Sequence, residues 1–198
     1  MITLDDLLRD LTYGEFAQLS LGQFLPEEHE SEPDPKSYAQ LSSHINLGLK
    51  ALYSDFWLAS DEIYVNLAEE IAIYTLSYEY AASNTASTQP VKYIADTAEN
   101  PFEDNILKIE EVYDEGGNKL GLNDTTDEVS IYTPTYRSIQ VPWPNDYNTL
   151  AVQYRAGHPK IVYTPGMDPT DIELRLPHAL HEALQYYVAS RVFAGVLG

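Results

Sequence analysis

The spacing of apolar residues divides the chain into a helical beginning, a β-rich middle and a helical end. Near the N-terminus, apolar residues recur at i, i+3, i+4 and i+7, which predicts a helix with one buried face: Leu4, Leu7, Leu8 and Leu11. Thr3 and Asp6 fit a capping pair at the start of this helix. The similar pair Thr12 and Glu15 predicts that the helix restarts near Gly14.

A second helix is predicted for residues 36–58, after a proline-rich acidic loop at 26–35. Its apolar positions repeat every three or four residues, which places them on one helix face: Leu41, Ile45, Leu49, Leu52 and Phe56. The chain therefore opens with two helices joined by an acidic connection.

The middle of the chain is predicted to be β-rich. Short runs of β-branched and aromatic residues predict strands at 62–67, 70–76, 106–113, 119–122, 128–133, 137–142 and 149–155. Residues 79–90 are rich in Ala, Ser, Thr and Asn and favour a loop. Gly116 and Gly117 lie between two of the runs and predict a hairpin, because glycine supplies the positive φ that tight turns need. In the last run, Leu150, Val152 and Tyr154 alternate with other residues, as in a half-buried strand.

A third helix closes the chain, with Pro177 expected in its first position. Its apolar stripe is predicted to comprise Leu180, Ala183, Leu184, Tyr187 and Val188, continued by Val192, Phe193, Val196 and Leu197. The predicted fold class is α+β, with N-terminal helices, a small antiparallel β domain and a C-terminal helix that returns to a helical bundle. We expect one domain over 1–198, with a helical part at 1–58, a β part at 60–160 and the C-terminal helix at 175–198.

The most informative feature of the composition is the negative charge of the chain. The 198 residues include 31 acidic and 11 basic ones, a formal net charge of −20, and no Lys/Arg cluster. Such a chain repels nucleic acid instead of neutralising its phosphates. The charge suits a surface that must not adhere to passing DNA, although it also simply favours solubility.

Three other features of the composition limit the function. The chain has 16 tyrosines, which suit protein interfaces and also half-buried strands. It has no cysteine, which excludes disulfides and thiolate metal sites. No apolar run is long enough to span a bilayer, and the N-terminal residues have no secretory pattern. We therefore expect no membrane partner.

No catalytic motif is found. His178, His181 and Glu182 invite a zinc interpretation, but Gln185 stands where the His-Glu-x-x-His motif needs its second histidine. Adjacent carboxylates are expected by chance among so many acids, and there is no nucleophile elbow or phosphate-binding loop. The acidic residues at 123–127 lack the spacing of an EF-hand. We expect no catalytic residue, cofactor or metal, and a binding or structural protein that is not an enzyme.

Nine short segments are distributed over most of the chain: 3–15, 44–56, 93–96, 101–102, 109–110, 122–124, 174–177, 182–184 and 187–193. In this order, they resemble the head-to-tail adaptor (connector) proteins of short-tailed bacteriophages. The resemblance implies a structural adaptor in the virion neck. About twelve copies would form a ring under the portal, matching the portal's symmetry. The genome would pass through this ring without specific binding.

The resemblance also implies partners and a location. The partners would be the portal protein, tail or nozzle proteins and neighbouring adaptor subunits, and the protein would be made in the host cytoplasm. The predicted helix at 177–197 is the candidate docking element, through Tyr187, Val188, Arg191, Val192, Phe193, Val196 and Leu197. The alternative for these residues is packing on the chain's own helices.

Two other functions remain open. One is a carbohydrate-binding or carbohydrate-hydrolysing module of a phage particle, since Trp57, Trp143 and the tyrosines could stack on sugars. The other is a tail or capsid accessory protein that forms a trimer.

Overall fold

The computed structural model describes residues 2–15, 35–143, 146–162 and 167–196. The chain divides into two compact units. The helical unit comprises Met1–Leu58 and His158–Gly198, and the β unit comprises Ala59–Gly157. The fold class is α+β, as predicted, whereas the expectation of one domain over 1–198 stays a prediction.

The described part of the helical unit contains three α-helices and one small sheet. Its elements are β1 (Ile2–Thr3), α1 (Leu4–Tyr13), α2 (Pro35–Asp55), β9 (Glu173–Leu174) and α3 (His181–Val196). Strands β1 and β9 pair in antiparallel fashion, with Ile2 opposite Leu174. Helix α3 packs against α1 and α2.

Helix α1 confirms the predicted cap and buried face. The Thr3 hydroxyl accepts a hydrogen bond from the Asp6 N–H at 3.2 Å, and the Thr3 N–H donates to the Asp6 carboxylate at 2.9 Å. The four leucines of the predicted stripe are all buried. Thr12 lies within α1, where its hydroxyl donates to the carbonyl of Leu8 at 2.8 Å, and the helix predicted to restart after Gly14 lies outside the described residues. The loop predicted at 26–35 lies outside the described residues except Pro35, which begins α2.

Helix α2 ends three residues earlier than predicted, at Asp55. Leu41, Ile45 and Leu49 are buried, as expected. The next buried position is Tyr53, whose hydroxyl donates to the carbonyl of Arg175. Phe56 is 48% exposed because it lies beyond the end of the helix, so its assignment to the buried face was wrong.

The β unit contains two antiparallel sheets. Its strands are β2 (Ser60–Asn66), β3 (Ile73–Thr75), β4 (Ile94–Ala95), β5 (Ile106–Tyr113), β6 (Tyr132–Thr135), β7 (Ser138–Gln140) and β8 (Thr149–Ala156). One sheet has the order β4-β2-β8-β5 and the other has the order β3-β7-β6. The inward side chains of β8, including Leu150, Val152 and Tyr154, are buried, which confirms the predicted alternation.

The hairpin prediction is confirmed at its turn but not along its second arm. The Gly117 N–H donates to the carbonyl of Asp114 at 3.0 Å, and Gly117 has a φ of 76°. The second arm, expected as a strand at 119–122, makes only isolated bridges, from Lys119 to Tyr113 and from Leu122 to Ile131. The predicted strand at 70–76 shortens to β3. The sequence patterns missed β1, β4 and β9, which have two residues each.

Within the described residues, no helix is both long and apolar enough to cross a membrane.

Candidate assembly surface

Helix α3 has a buried side and an exposed side, and the buried side is rotated from the predicted stripe. Leu184, Val188, Ala189 and Val192 are buried, while Ala183 is exposed and Tyr187 is half-buried. The helix also begins differently. A 3-10 turn at His178–Leu180 follows Pro177, and the α-helix starts at His181. Pro177 therefore begins the tighter 3-10 turn and not α3 itself.

Gly48 allows α2 and α3 to approach closely. A Cβ atom at Gly48 would lie 2.6 Å from Leu184 Cδ1 and 2.9 Å from Tyr187 Cδ1. Such contacts are shorter than van der Waals distance, so a larger residue at position 48 would force the Leu184 and Tyr187 side chains to shift.

A polar contact joins α3 to α1. Asp10 accepts a hydrogen bond from Gln185 Nε2 at 2.9 Å, and its carboxylate lies 3.7 Å from Nδ1 of the buried His181. The His178 and His181 rings are 6.2 Å apart between centroids. In the described ranges, no group of three or more His, Asp or Glu side chains could hold a metal ion. Within the described residues, the contacts of His181 thus connect α3 to α1.

The exposed side of α3 presents two tyrosines and an arginine. Tyr186 is 55% exposed, and its hydroxyl donates to Glu182 at 3.0 Å. This hydrogen bond and the nearby negative charge of Glu182 raise the pKa of Tyr186. The Arg191 guanidinium lies over the Tyr187 ring, 5.3 Å from its centroid, and bonds to the Tyr187 hydroxyl at 3.2 Å. Tyrosine and arginine are the residue types that most often dominate binding energy at protein interfaces.

The predicted docking residues therefore fall into separate groups. Val188 and Val192 are buried within the chain, the alternative that the sequence left open. Arg191 is exposed, and Tyr187 and Phe193 are half-buried. Val196 is the last residue of α3, with a side chain that is not described, and Leu197 lies outside the described residues. Sequence reasoning missed Tyr186; the available signal was an aromatic residue outside the apolar stripe.

Other large apolar side chains of the helical unit also reach solvent. Leu47 on α2 is 46% exposed and lies one turn from the exposed Lys50. The remaining members of this group are Tyr13, Phe56, Trp57, Val162 and Met167. The β unit exposes as many, including Tyr64, Tyr136 and Trp143, so such side chains do not by themselves distinguish the helical unit.

Both units are acidic. The helical unit has 14 acidic and six basic residues, a formal net charge of −8. The β unit has 17 acidic and five basic residues, a formal net charge of −12. Burial raises the pKa of Tyr147, and the negative charges of four carboxylates, those of Asp146, Asp114, Asp127 and Glu115, add to this effect.

Two features bear on the carbohydrate alternative. Trp143 is exposed, with its indole N–H donating to the carbonyl of Glu128 at 3.3 Å. The described carboxyl groups with a shifted pKa are all shifted downwards: Asp6, Asp96, Glu111, Asp114, Glu115, Asp124 and Asp168. The general acid of a glycosidase needs a raised pKa, so these carboxyl groups do not favour hydrolysis.

A scan of the sequence against models of known protein families finds no match, and a search of curated protein sequences finds none either.

Proposed function

We propose that this chain is a structural head-to-tail adaptor of a phage virion, located in the neck between head and tail. About twelve copies form a ring under the portal, link it to tail or nozzle proteins and leave a channel for the genome. The observation that carries this proposal is the exposed side of α3, where Tyr186 and Arg191 lie at the surface of the helical unit. The β unit carries −12 of the formal net charge of −20.

The helical unit supplies the contacts with the portal and with neighbouring subunits. The three helices in its described part form a bundle, and the exposed side of α3 docks through Tyr186, Tyr187, Arg191 and Phe193. The Arg191 guanidinium already lies over the Tyr187 ring, 5.3 Å from the ring centroid. Little side-chain freedom is therefore lost when a partner covers the pair. The acidic and basic residues of α3, Glu182 and Arg191, have opposite charges, which keeps repulsion between acidic copies low at this contact.

The β unit lines the channel with negative charge. Carboxylates facing a DNA duplex repel its phosphates and prevent the adhesion that lysine or arginine would cause. The net charge of −12 on this unit supports that role. The channel-lining role would be contradicted if the subunit surface that faces the ring axis proved neutral or basic.

Assembly mass is the direct test of the proposal. Native mass spectrometry measures the protein alone and after mixing with the portal protein of the same phage. We expect a complex in which about twelve copies bind each portal ring. No association, or a stable trimer that binds glycans, would contradict the adaptor role and favour one of the alternatives.

A further inference from the structure

The imidazole ring of His158, in the helical unit, has a hydrogen-bond partner on each of its nitrogens. Its Nδ1 lies 2.6 Å from the carbonyl oxygen of Pro159, and its Nε2 lies 3.2 Å from the backbone nitrogen of Arg175. The ring also meets the ring of Tyr53 edge to face, with the two centroids 5.5 Å apart. Three segments therefore converge on His158: its own loop, helix α2 and the residue that follows β9.

These partners determine where the neutral ring carries its proton. A carbonyl oxygen only accepts hydrogen bonds, so Nδ1 carries the proton and donates to Pro159. A backbone N–H only donates, so Nε2 is unprotonated and accepts from Arg175. A second proton could bind only at Nε2, where it would face the Arg175 N–H and abolish that hydrogen bond. The arrangement around His158 therefore requires the neutral ring.

The surroundings of the ring also disfavour a positive charge. Burial has the largest effect and lowers the pKa of His158, and the positive charge of Arg175 lowers it further. The hydrogen bond with the Pro159 carbonyl and the negative charge of Glu173 act in the opposite direction, but the net shift of the pKa is downwards. Tyr53, on α2, stays uncharged beside the ring, because burial raises its pKa above the ordinary value for tyrosine.

Both backbone polar groups of Arg175 depend on this pair of rings. Its N–H donates to His158, and its carbonyl accepts a hydrogen bond from the Tyr53 hydroxyl. The peptide groups on either side of Arg175 are thus held against α2 by side chains and not by a neighbouring strand. Loss of the His158 acceptor would leave Arg175 attached through its carbonyl alone.

Arg175 directly follows the strand that fixes the N-terminal residues. Leu174, in β9, pairs with Ile2 of β1. Beside this pair, the Leu4 N–H at the start of α1 donates to the carbonyl of Ile172 at 2.8 Å. Each strand of the pair has only two residues, so its stability depends on how firmly the flanking residues are held. A change at Arg175 is therefore transmitted to the start of α1.

We propose that His158 is a pH-sensitive switch: its neutral ring holds Arg175 and the β1–β9 pair in place, and protonation of the ring loosens them. The stabilisation by the neutral ring is present above the unfolded-state pKa of about 6.5 and is lost as pH falls through the lower folded-state pKa. Asp6, in the first turn of α1, titrates at lower pH because its pKa lies below the ordinary value of about 4. This inference does not depend on the proposed role in a phage neck.

The test uses the full-length protein and two NMR measurements. Shifts of the imidazole nitrogens give the tautomer and the pKa of His158, and hydrogen exchange gives the protection of backbone amides relative to unstructured peptides. We expect a neutral ring protonated at Nδ1, with a pKa below the ordinary value of about 6.5. As the ring becomes charged, protection of the Arg175 and Leu4 amides should fall about tenfold, the effect of losing one hydrogen bond. The Leu67 amide, bonded to the Asn148 carbonyl in the β unit, should keep its protection.

Two substitutions separate His158 from the other histidines. His158→Gln offers the Arg175 N–H an acceptor that does not titrate, so protection of the Arg175 and Leu4 amides should stay constant from about pH 7 to 5. His178→Gln, at an exposed residue of the 3-10 turn, is the matched control and should retain the fall in acid.

The tautomer and the exchange data of the natural chain decide the question even if His158→Gln fails to fold. Three results would overturn the proposal: a neutral His158 ring protonated at Nε2, unchanged protection of Arg175 and Leu4 while the ring titrates, or a fall in protection that persists in His158→Gln.

Discussion

The helical unit and the β unit use apolar residues in different ways. The β unit gathers its inward side chains into one cluster that spans both sheets and includes Val65, Ile94, Ile139 and Val152. The helical unit buries one stripe of each helix. Both units leave large apolar side chains in solvent, such as Leu47 and Tyr186 in the helical unit and Tyr136 and Trp143 in the β unit. A two-layer β structure buries apolar faces between its own sheets, whereas each helix buries only the stripe that faces its neighbours.

The largest effect is expected from truncating a buried leucine of the β unit. Leu150→Ala should lower the free energy of unfolding by about 2–5 kcal/mol, because Leu150 is fully buried between strands and leaves a cavity. Leu47→Ala in the helical unit should change it by less than about 0.5 kcal/mol, since that side chain is half in solvent. Urea denaturation measures both. Equal losses would mean that Leu47 is as important to the isolated chain as Leu150.

The next effect tests the close approach of α2 and α3. Gly48→Val should destabilise the helical unit by about 1–3 kcal/mol, because its side chain would overlap Leu184 and Tyr187. Ser43→Val, on the exposed side of α2, is the control and should have little effect. Thermal unfolding followed by circular dichroism measures the difference. If Gly48→Val were as stable as the control, the glycine would not limit the approach of the helices.

A smaller effect, dependent on pH, is expected at the start of α1. Hydrogen bonds from the Thr3 N–H and hydroxyl hold the pKa of Asp6 below its ordinary value. The stabilisation by ionised Asp6 is therefore present above the unfolded-state pKa of about 4 and is lost as pH falls through the lower folded-state pKa. Asp6→Asn should be less stable than the natural chain at neutral pH, and the gap should shrink in acid. Urea midpoints at several pH values measure this difference in stability. A difference that widens in acid would contradict the stabilising role of ionised Asp6.

The smallest effect on stability should accompany a large effect on assembly. Tyr186→Ser combined with Arg191→Ala should change the free energy of unfolding by less than about 1 kcal/mol, because both side chains are exposed. The same double variant should weaken portal binding about tenfold or more. Tyr136→Ser, an equally exposed tyrosine of the β unit, should leave portal binding unchanged. If Tyr136→Ser weakened portal binding and the double variant did not, the docking surface would lie on the β unit and not on the helical unit.

Local patterns predicted the elements whose partners are close in sequence. The leucine spacing of α1, its Thr3–Asp6 cap and the turn at Gly117 were all confirmed, because each depends on residues within one or two turns. The pairing of β1 with β9 could not be predicted, since Ile2 and Leu174 are far apart in sequence and each strand has only two residues. The apolar periodicity predicted the helix α3 but placed Ala183 on its buried side, whereas Ala183 is exposed.

The sequence by itself determined the α+β class, the strong negative charge and the approximate position of each long element. Composition and periodicity suffice for these properties because they depend on residue types and on local backbone geometry. Only the tertiary structure decided that Val188 and Val192 are buried while Tyr186 and Arg191 face solvent. It also decided that the segment after the hairpin leaves the edge of β5 at Asn123. Both outcomes depend on which distant residues pack against a segment, and one segment's own pattern does not contain that information.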